Sequence, residues 1–219
     1  MGYTGGADLN QLGEKSLLRL VTDRFINPRA LDTDFFVASV DPDTLAAGDN
    51  LTLTTAGDLP MRHPRRVTVS VTDASYDAGN PLSVTVRVTG QRQGRAVVED
   101  ITATATSGSI LTVTSDKLFS EVTQAKVLNL SGEAAGDALI VGLAGAALGL
   151  SFGIKSITDV VSIINIASGT EANATAVSST TVDVENSCVQ GLTIAATDNW
   201  EVTYIARFDA GIGSNGVFP

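Results

Sequence analysis

VTVSVTD (Val67–Asp73) and LSVTVRVTG (Leu82–Gly90) decide the fold class. Read at a step of two, Val67, Val69 and Val71 fall on one side of the chain, as do Val84, Val86 and Val88 in the second ladder. A branched Cβ is comfortable on a pleated surface and less so in a helix. The opposite sides carry Thr, Ser and Arg. That is the plan of an antiparallel sheet with one dry face and one wet face. The intervening ASYDAGNP is built from turn-forming residues.

The same grammar extends in both directions. Upstream, DFFVASV is a short apolar run and NLTLTTAG alternates. Downstream, GQRQG connects to RAVVEDITATAT, a run that Gly108 ends. In EVTQAKVLNLSG, Val122 and Val127 are out of simple step, which predicts a bulge. GDALIVGL reads as a buried strand. SITDVVSIINIASG is apolar on both faces and reads as a central strand, or as a short helix followed by a strand. ATAVSSTTVDVEN and DNWEVTYIARF close the series; in the last, Trp200, Val202 and Tyr204 share a face assigned to the core. Turn signals recur about every ten residues, favouring a sandwich or barrel over alternating βαβ units.

The expected fold is therefore mainly β: an antiparallel β-sandwich or barrel-like domain over residues 35–208, with the option of two subdomains divided near 143–153. An N-terminal arm over residues 1–34 and an irregular tail over 209–219 flank it. The arm is predicted to contain a helix, with Leu9, Leu12, Leu20 and Val21 near one face. Asp8 with Gln11 forms a capping-box pattern, and Pro28 ends the segment. Such a short helix cannot bury its stripe alone, so it packs on its own domain or on another subunit.

The chain has 219 residues and a formal charge of −10, from 24 acids against 14 bases. An acidic surface repels phosphate backbones, which argues against a nucleic-acid partner. The N-terminus lacks the basic-then-apolar plan of a signal peptide. Ala138–Ile154 is uncharged and holds a G-x-x-x-G series, but it lacks aromatic or basic flanks, and the strand reading is preferred to a membrane span. Cys188 stands alone, so no internal disulfide is available, and it reads as a small apolar filler.

Residues suited to catalysis are scarce. His63 is the single His, so one chain cannot assemble a Cys/His zinc set. No G-x-S-x-G elbow, Walker loop or dinucleotide fingerprint occurs. Glu99 and Asp100 read as wet-face or turn residues. Asp41, Asp43 and Asp49 lack the order of a calcium loop and read as turn caps. The expectation is a protein that is no enzyme and needs no cofactor or metal. MRHPRR is the one basic cluster. Its Arg62, Arg65 and Arg66, together with Leu9, Leu12 and Leu20, are the candidate subunit contacts.

The order of motifs resembles a loose group of structural proteins of tailed bacteriophages and prophages. The segments that carry it are RVTVSVTD (Arg66–Asp73), VTVRVTG (Val84–Gly90), VVEDI (Val97–Ile101), FSEVTQAKV (Phe119–Val127), GDALIVG (Gly136–Gly142) and LGL (Leu148–Leu150). It covers about residues 60–167, and its motifs mark strands and turns rather than chemistry. It implies a virion component assembled in the bacterial cytoplasm, foremost a capsid decoration (cement) protein. The alternative is a neck, tail-tube or adaptor subunit. Implied partners are further copies of the chain, with a trimer favoured, and the major capsid protein or other virion proteins. A carbohydrate-binding or adhesin β module is the competing class, and it requires an exposed aromatic platform.

Overall fold

The computed structural model describes residues 16–26, 28, 30–54, 61, 63–167, 170–195 and 198–209. It is mainly β, and its strand pairings are antiparallel. In chain order the strands are β1 (Ser16–Ile26), β2 (Asp32–Val40), β3 (Asn50–Leu51), β4 (Arg65–Thr72), β5 (Ser83–Arg92), β6 (Arg95–Thr104), β7 (Leu111–Phe119) and β8 (Glu121–Ser131). They continue with β9 (Ala138–Leu143), β10 (Leu148–Gly149), β11 (Val160–Ala167), β12 (Thr170–Thr175), β13 (Val182–Asp183), β14 (Cys188–Val189) and β15 (Asp198–Asp209). Among the described residues, helical geometry is confined to two 3-10 turns, Pro42–Thr44 and Ile157–Asp159.

The two opening ladders are β4 and β5, and they lie in different sheets. One sheet has the order β2-β9-β4-β7 and another β3-β8-β5-β6. Their valine rows meet in one cluster: Val67, Val69, Val71, Val84, Val86 and Val88 are all buried there, with Phe36, Leu139 and Val141. The wet face expected for β4 is absent. Thr68 and Ser70, on the side opposite the valine row, are buried as well. The Ser70 hydroxyl is satisfied by that of Thr112 at 2.8 Å.

Local chemistry fixes the register. β5 and β6 form a hairpin whose last pair is Arg92 with Arg95. The two tip residues, Gln93 and Gly94, both have positive φ (50° and 79°), as a primed two-residue turn demands. The out-of-step spacing in β8 resolves into two register shifts against β5, at Thr123 and at Leu128, which keep Val122, Ala125 and Val127 on the inner side. Gly142 sits where β9 passes β2; a Cβ there would drive into the Thr33 carbonyl.

A second core begins where β9 ends. Leu143 belongs to the first cluster, whereas Leu148, Leu150 and Ile154 pack with Val202, Tyr204, Trp200 and Phe25 in another. This core lies under a third sheet, ordered β1-β15-β11-β12, and a small one, β10-β14-β13. Ala138–Ile154 thus contains strands β9 and β10. No helix among the described residues is long and apolar enough to cross a membrane.

The N-terminal helix is corrected over Ser16–Ile26, which is an 11-residue strand paired with β15 from Ser16–Asp209 to Ile26–Asn199. LLRLV satisfies a period of two as readily as a helical one. Leu20 and Val21, neighbours on a helical face, here occupy opposite sheet faces, Leu20 at 64% exposure and Val21 half-buried. Residues 1–15, with the predicted cap at Asp8 and Gln11, lie outside the described residues, as does most of the predicted tail, 210–219.

Candidate interaction surfaces

The terminal sheet is built by β1 against β15. On the inner face, Val21, Asp23 and Phe25 oppose Tyr204, Val202 and Trp200. Asp23 is the polar member of that row. Its Oδ2 accepts hydrogen bonds from the Tyr204 hydroxyl at 2.9 Å and from the Ser151 amide at 2.7 Å. The Tyr204 oxygen in turn accepts from the Phe152 amide at 3.1 Å. Burial, reinforced by the neighbouring Asp23 carboxylate, pushes the Tyr204 phenol up from its ordinary value.

The outer face of this sheet is unusual for an acidic chain. On β1, Leu18, Leu20 and Ile26 are 62%, 64% and 46% exposed. Ile205 of β15 is the Cα partner of Leu20. On β11 a register shift between Val160 and Ser162 leaves Val161 as the extra residue, 56% exposed. Ile164 and Ile166, further along β11, are half-buried. The polar part of the face pairs within itself: Thr22 and Thr203 hydroxyls lie 2.9 Å apart, and Arg24 Nε is 2.8 Å from Glu201 Oε1. Large exposed apolar patches on a soluble domain mark contact surfaces.

The basic cluster is split by the strand it enters. Arg65 is 3% exposed and donates from Nη2 to the Ala144 carbonyl at 2.7 Å. Burial lowers its guanidinium to about 10. Arg66 pairs with Asp183 of β13, Nη2 to Oδ2 at 2.7 Å, joining the first unit to the small sheet. Both arginines thus work inside the chain. Arg62, Leu9 and Leu12 lie outside the described residues. Of the candidate contacts among the described residues, Leu20 is the one on an open face.

A cleft of about 670 Å³ surrounds the Arg66–Asp183 pair, with Arg92, Arg95 and Lys117 interleaved with Asp116 and Glu185. Burial lowers the Arg92 guanidinium. Cys188 packs with Leu118 and Ala147 beside it, and burial pushes its thiol up to about 12, far from the thiolate that nucleophilic chemistry needs. His63 meets Phe25 edge-on, ring centroids 4.7 Å apart. Among the described residues no group of three or more His, Cys, Asp and Glu is placed to hold a metal ion. Asp41 and Asp49 accept from the backbone amides of Asp43 and Ala46, as turn caps do. Glu99 accepts the Asp116 and Lys117 amides, and Asp100 binds Arg87. Trp200 and Tyr204 are 4% and 0% exposed, so neither offers an aromatic platform.

Sequence reading missed Leu18, Ile26, Val161 and Ile205. The signal was present in SITDVVSIINIASG, whose second apolar face is left open among the described residues. No protein-family model, no curated protein and no solved structure matches the chain.

Proposed function

We propose that the chain is a structural protein of a tailed-bacteriophage virion, a capsid decoration (cement) protein that stabilises the head through subunit contacts. On this reading the β2-β9-β4-β7 and β3-β8-β5-β6 sheets form a β-sandwich, and the β1-β15-β11-β12 unit is the joint between subunits. The observation that carries the proposal is the open apolar face of that joint on a chain of charge −10. Such a face is costly to leave in water and useful where many copies assemble. The order of strand motifs from Arg66 to Leu150 supports the phage setting. Trp200, the one tryptophan, lies in the core and lends the alternative carbohydrate-binding reading no exposed ring.

The test is co-sedimentation of the purified chain with phage heads and with tails, followed by electron microscopy. Saturable binding to heads, with a higher temperature of head disruption, is the expected result. Rings of six or twelve copies at the neck or tail would select the alternative position in the particle. Absence of binding to either part would overturn the proposal.

A further inference from the structure

We propose that the outer face of the β1-β15-β11-β12 sheet is covered by the same face of a second copy of this chain, forming an isologous, sheet-on-sheet dimer. This names the occupant of the face on which the reading above rests, and it needs no capsid.

Three observations select a second copy. The first is charge. Each copy carries −10, so two copies approach only through a neutral surface. Arg24 and Glu201 cancel each other at 2.8 Å, and the residues beside them on this face, Thr22, Thr203 and Ser162, carry no charge. A partner of opposite charge would instead call for an acidic patch.

The second is area. The four strands have 11, 12, 8 and 6 residues. At about 3.3 Å per residue and about 4.8 Å between strands, their footprint is about 600 Å². Side-chain relief raises the accessible area above that, toward the about 800 Å² per partner of a stable interface.

The third is relief. The middle of the face is short and flat, with Thr22, Thr203 and Ser162 in register. Apolar side chains stand at either end: Leu18, Leu20, Val161 and Ile205 at one, Ile26, Ile164 and Ile166 at the other. Stacked sheets interdigitate such rows about 10 Å apart. A twofold contact yields an even number of copies, in place of the trimer expected from resemblance.

The experiment is light scattering on the full chain, with Leu20→Lys, Val161→Lys and the milder Leu20→Thr. Ile110→Lys serves as control, since Ile110 is 53% exposed on the other unit. The parent should run at twice 22.6 kDa. Both lysine variants should weaken self-association about a hundredfold, the order expected when an unpaired charge is buried at an interface. Leu20→Thr should weaken it less, and Ile110→Lys should leave it unchanged, with circular dichroism unaltered throughout. A monomeric or trimeric parent would overturn the inference; a monomer would mean that another protein or the chain's own ends cover the face. Sensitivity to Leu20→Lys alone would also overturn it, because β1 edge pairing would leave Val161 on β11 untouched. A dimer that ignores all three variants would do the same. A dimer that breaks as described but fails to bind heads leaves this inference standing and removes the capsid reading.

Discussion

The β5–β6 hairpin and the β1–β15 ladder obey the same alternation and differ in what they turn outward. On the hairpin, the outward pairs include Ser83 with Thr104, Thr85 with Thr102 and Arg87 with Asp100, each joined by side-chain hydrogen bonds of 2.7 to 2.9 Å, with one exposed large apolar residue, Val98, nearer the turn. On the ladder, the outward residues include Leu18 and the pair Leu20 with Ile205, and among the described residues Thr22–Thr203 and Arg24–Glu201 resemble the hairpin's rungs. One ladder is finished toward water. The other is finished halfway, with its polar rungs in the middle and apolar residues at both ends. Period two says that a strand has two faces; only the content of the second face says whether water or protein lies there.

The sharpest test of the open face is to truncate one apolar side chain in the first core and one on that face. Phe36 is fully buried and stacks edge-on against Phe35, centroids 4.8 Å apart. Phe36→Ala should cost about 3–5 kcal/mol, from lost transfer energy and the cavity left behind. Leu18, 62% exposed, should cost less than about 0.5 kcal/mol as Leu18→Ala in dilute protein, where copies are apart. Denaturant midpoints at constant slope decide it; a large loss for Leu18→Ala would mean that its face is already filled within one chain.

The inner side of the terminal sheet offers a smaller effect with a pH signature. Tyr204→Phe removes the hydroxyl that joins Asp23 to the Phe152 amide and should cost about 1–3 kcal/mol near neutral pH. The folded phenol titrates above its unfolded value of about 10, so its contribution is complete below that pH and is lost as pH rises past it. Stability measured from about pH 9 to about pH 11 should therefore fall more steeply for the parent than for Tyr204→Phe. Parallel curves would remove the burial argument for Tyr204.

Much of the fold was legible because it rests on period two. Val67–Val71, Val84–Val88 and Trp200–Tyr204 announce their buried rows without reference to any neighbour. Ser16–Ile26 was illegible for the opposite reason. Its Leu and Arg residues favour a helix, and the strand is decided by β15, which brings Thr203 to Thr22 from the far end of the chain. Within the basic cluster, adjacent residues on a strand diverge. Arg65 turns to Ala144, and Arg66 turns to an acid contributed by β13. Leu20 was singled out as part of a helical stripe, yet it lies on an open sheet face. Its companion Val161 belongs to a strand apolar on both sides, which signals a second apolar face but does not declare which side the core takes.

The smallest effect belongs to the hairpin's own ion pair. Arg87 grips Asp100 with two bonds, Nε to Oδ1 at 2.7 Å and Nη2 to Oδ2 at 2.8 Å. The hydrogen bond and then the charge of Asp100 hold the Arg87 guanidinium above its usual value, and the hydrogen bond from Arg87 holds the Asp100 carboxyl below its own. The geometry is good, but the side chains are 45% and 42% exposed, and water and salt screen such pairs. A carboxyl depressed on folding contributes above its unfolded value, about 3.9, and loses that contribution as pH falls through the folded one. Arg87→Ala should thus leave the denaturant midpoint at neutral pH indistinguishable from the parent and slightly flatten the acid limb below about pH 4. A clear loss at neutral pH and high salt would show that the hairpin's wet face is itself held against something, and the contrast with the β1–β15 face would collapse.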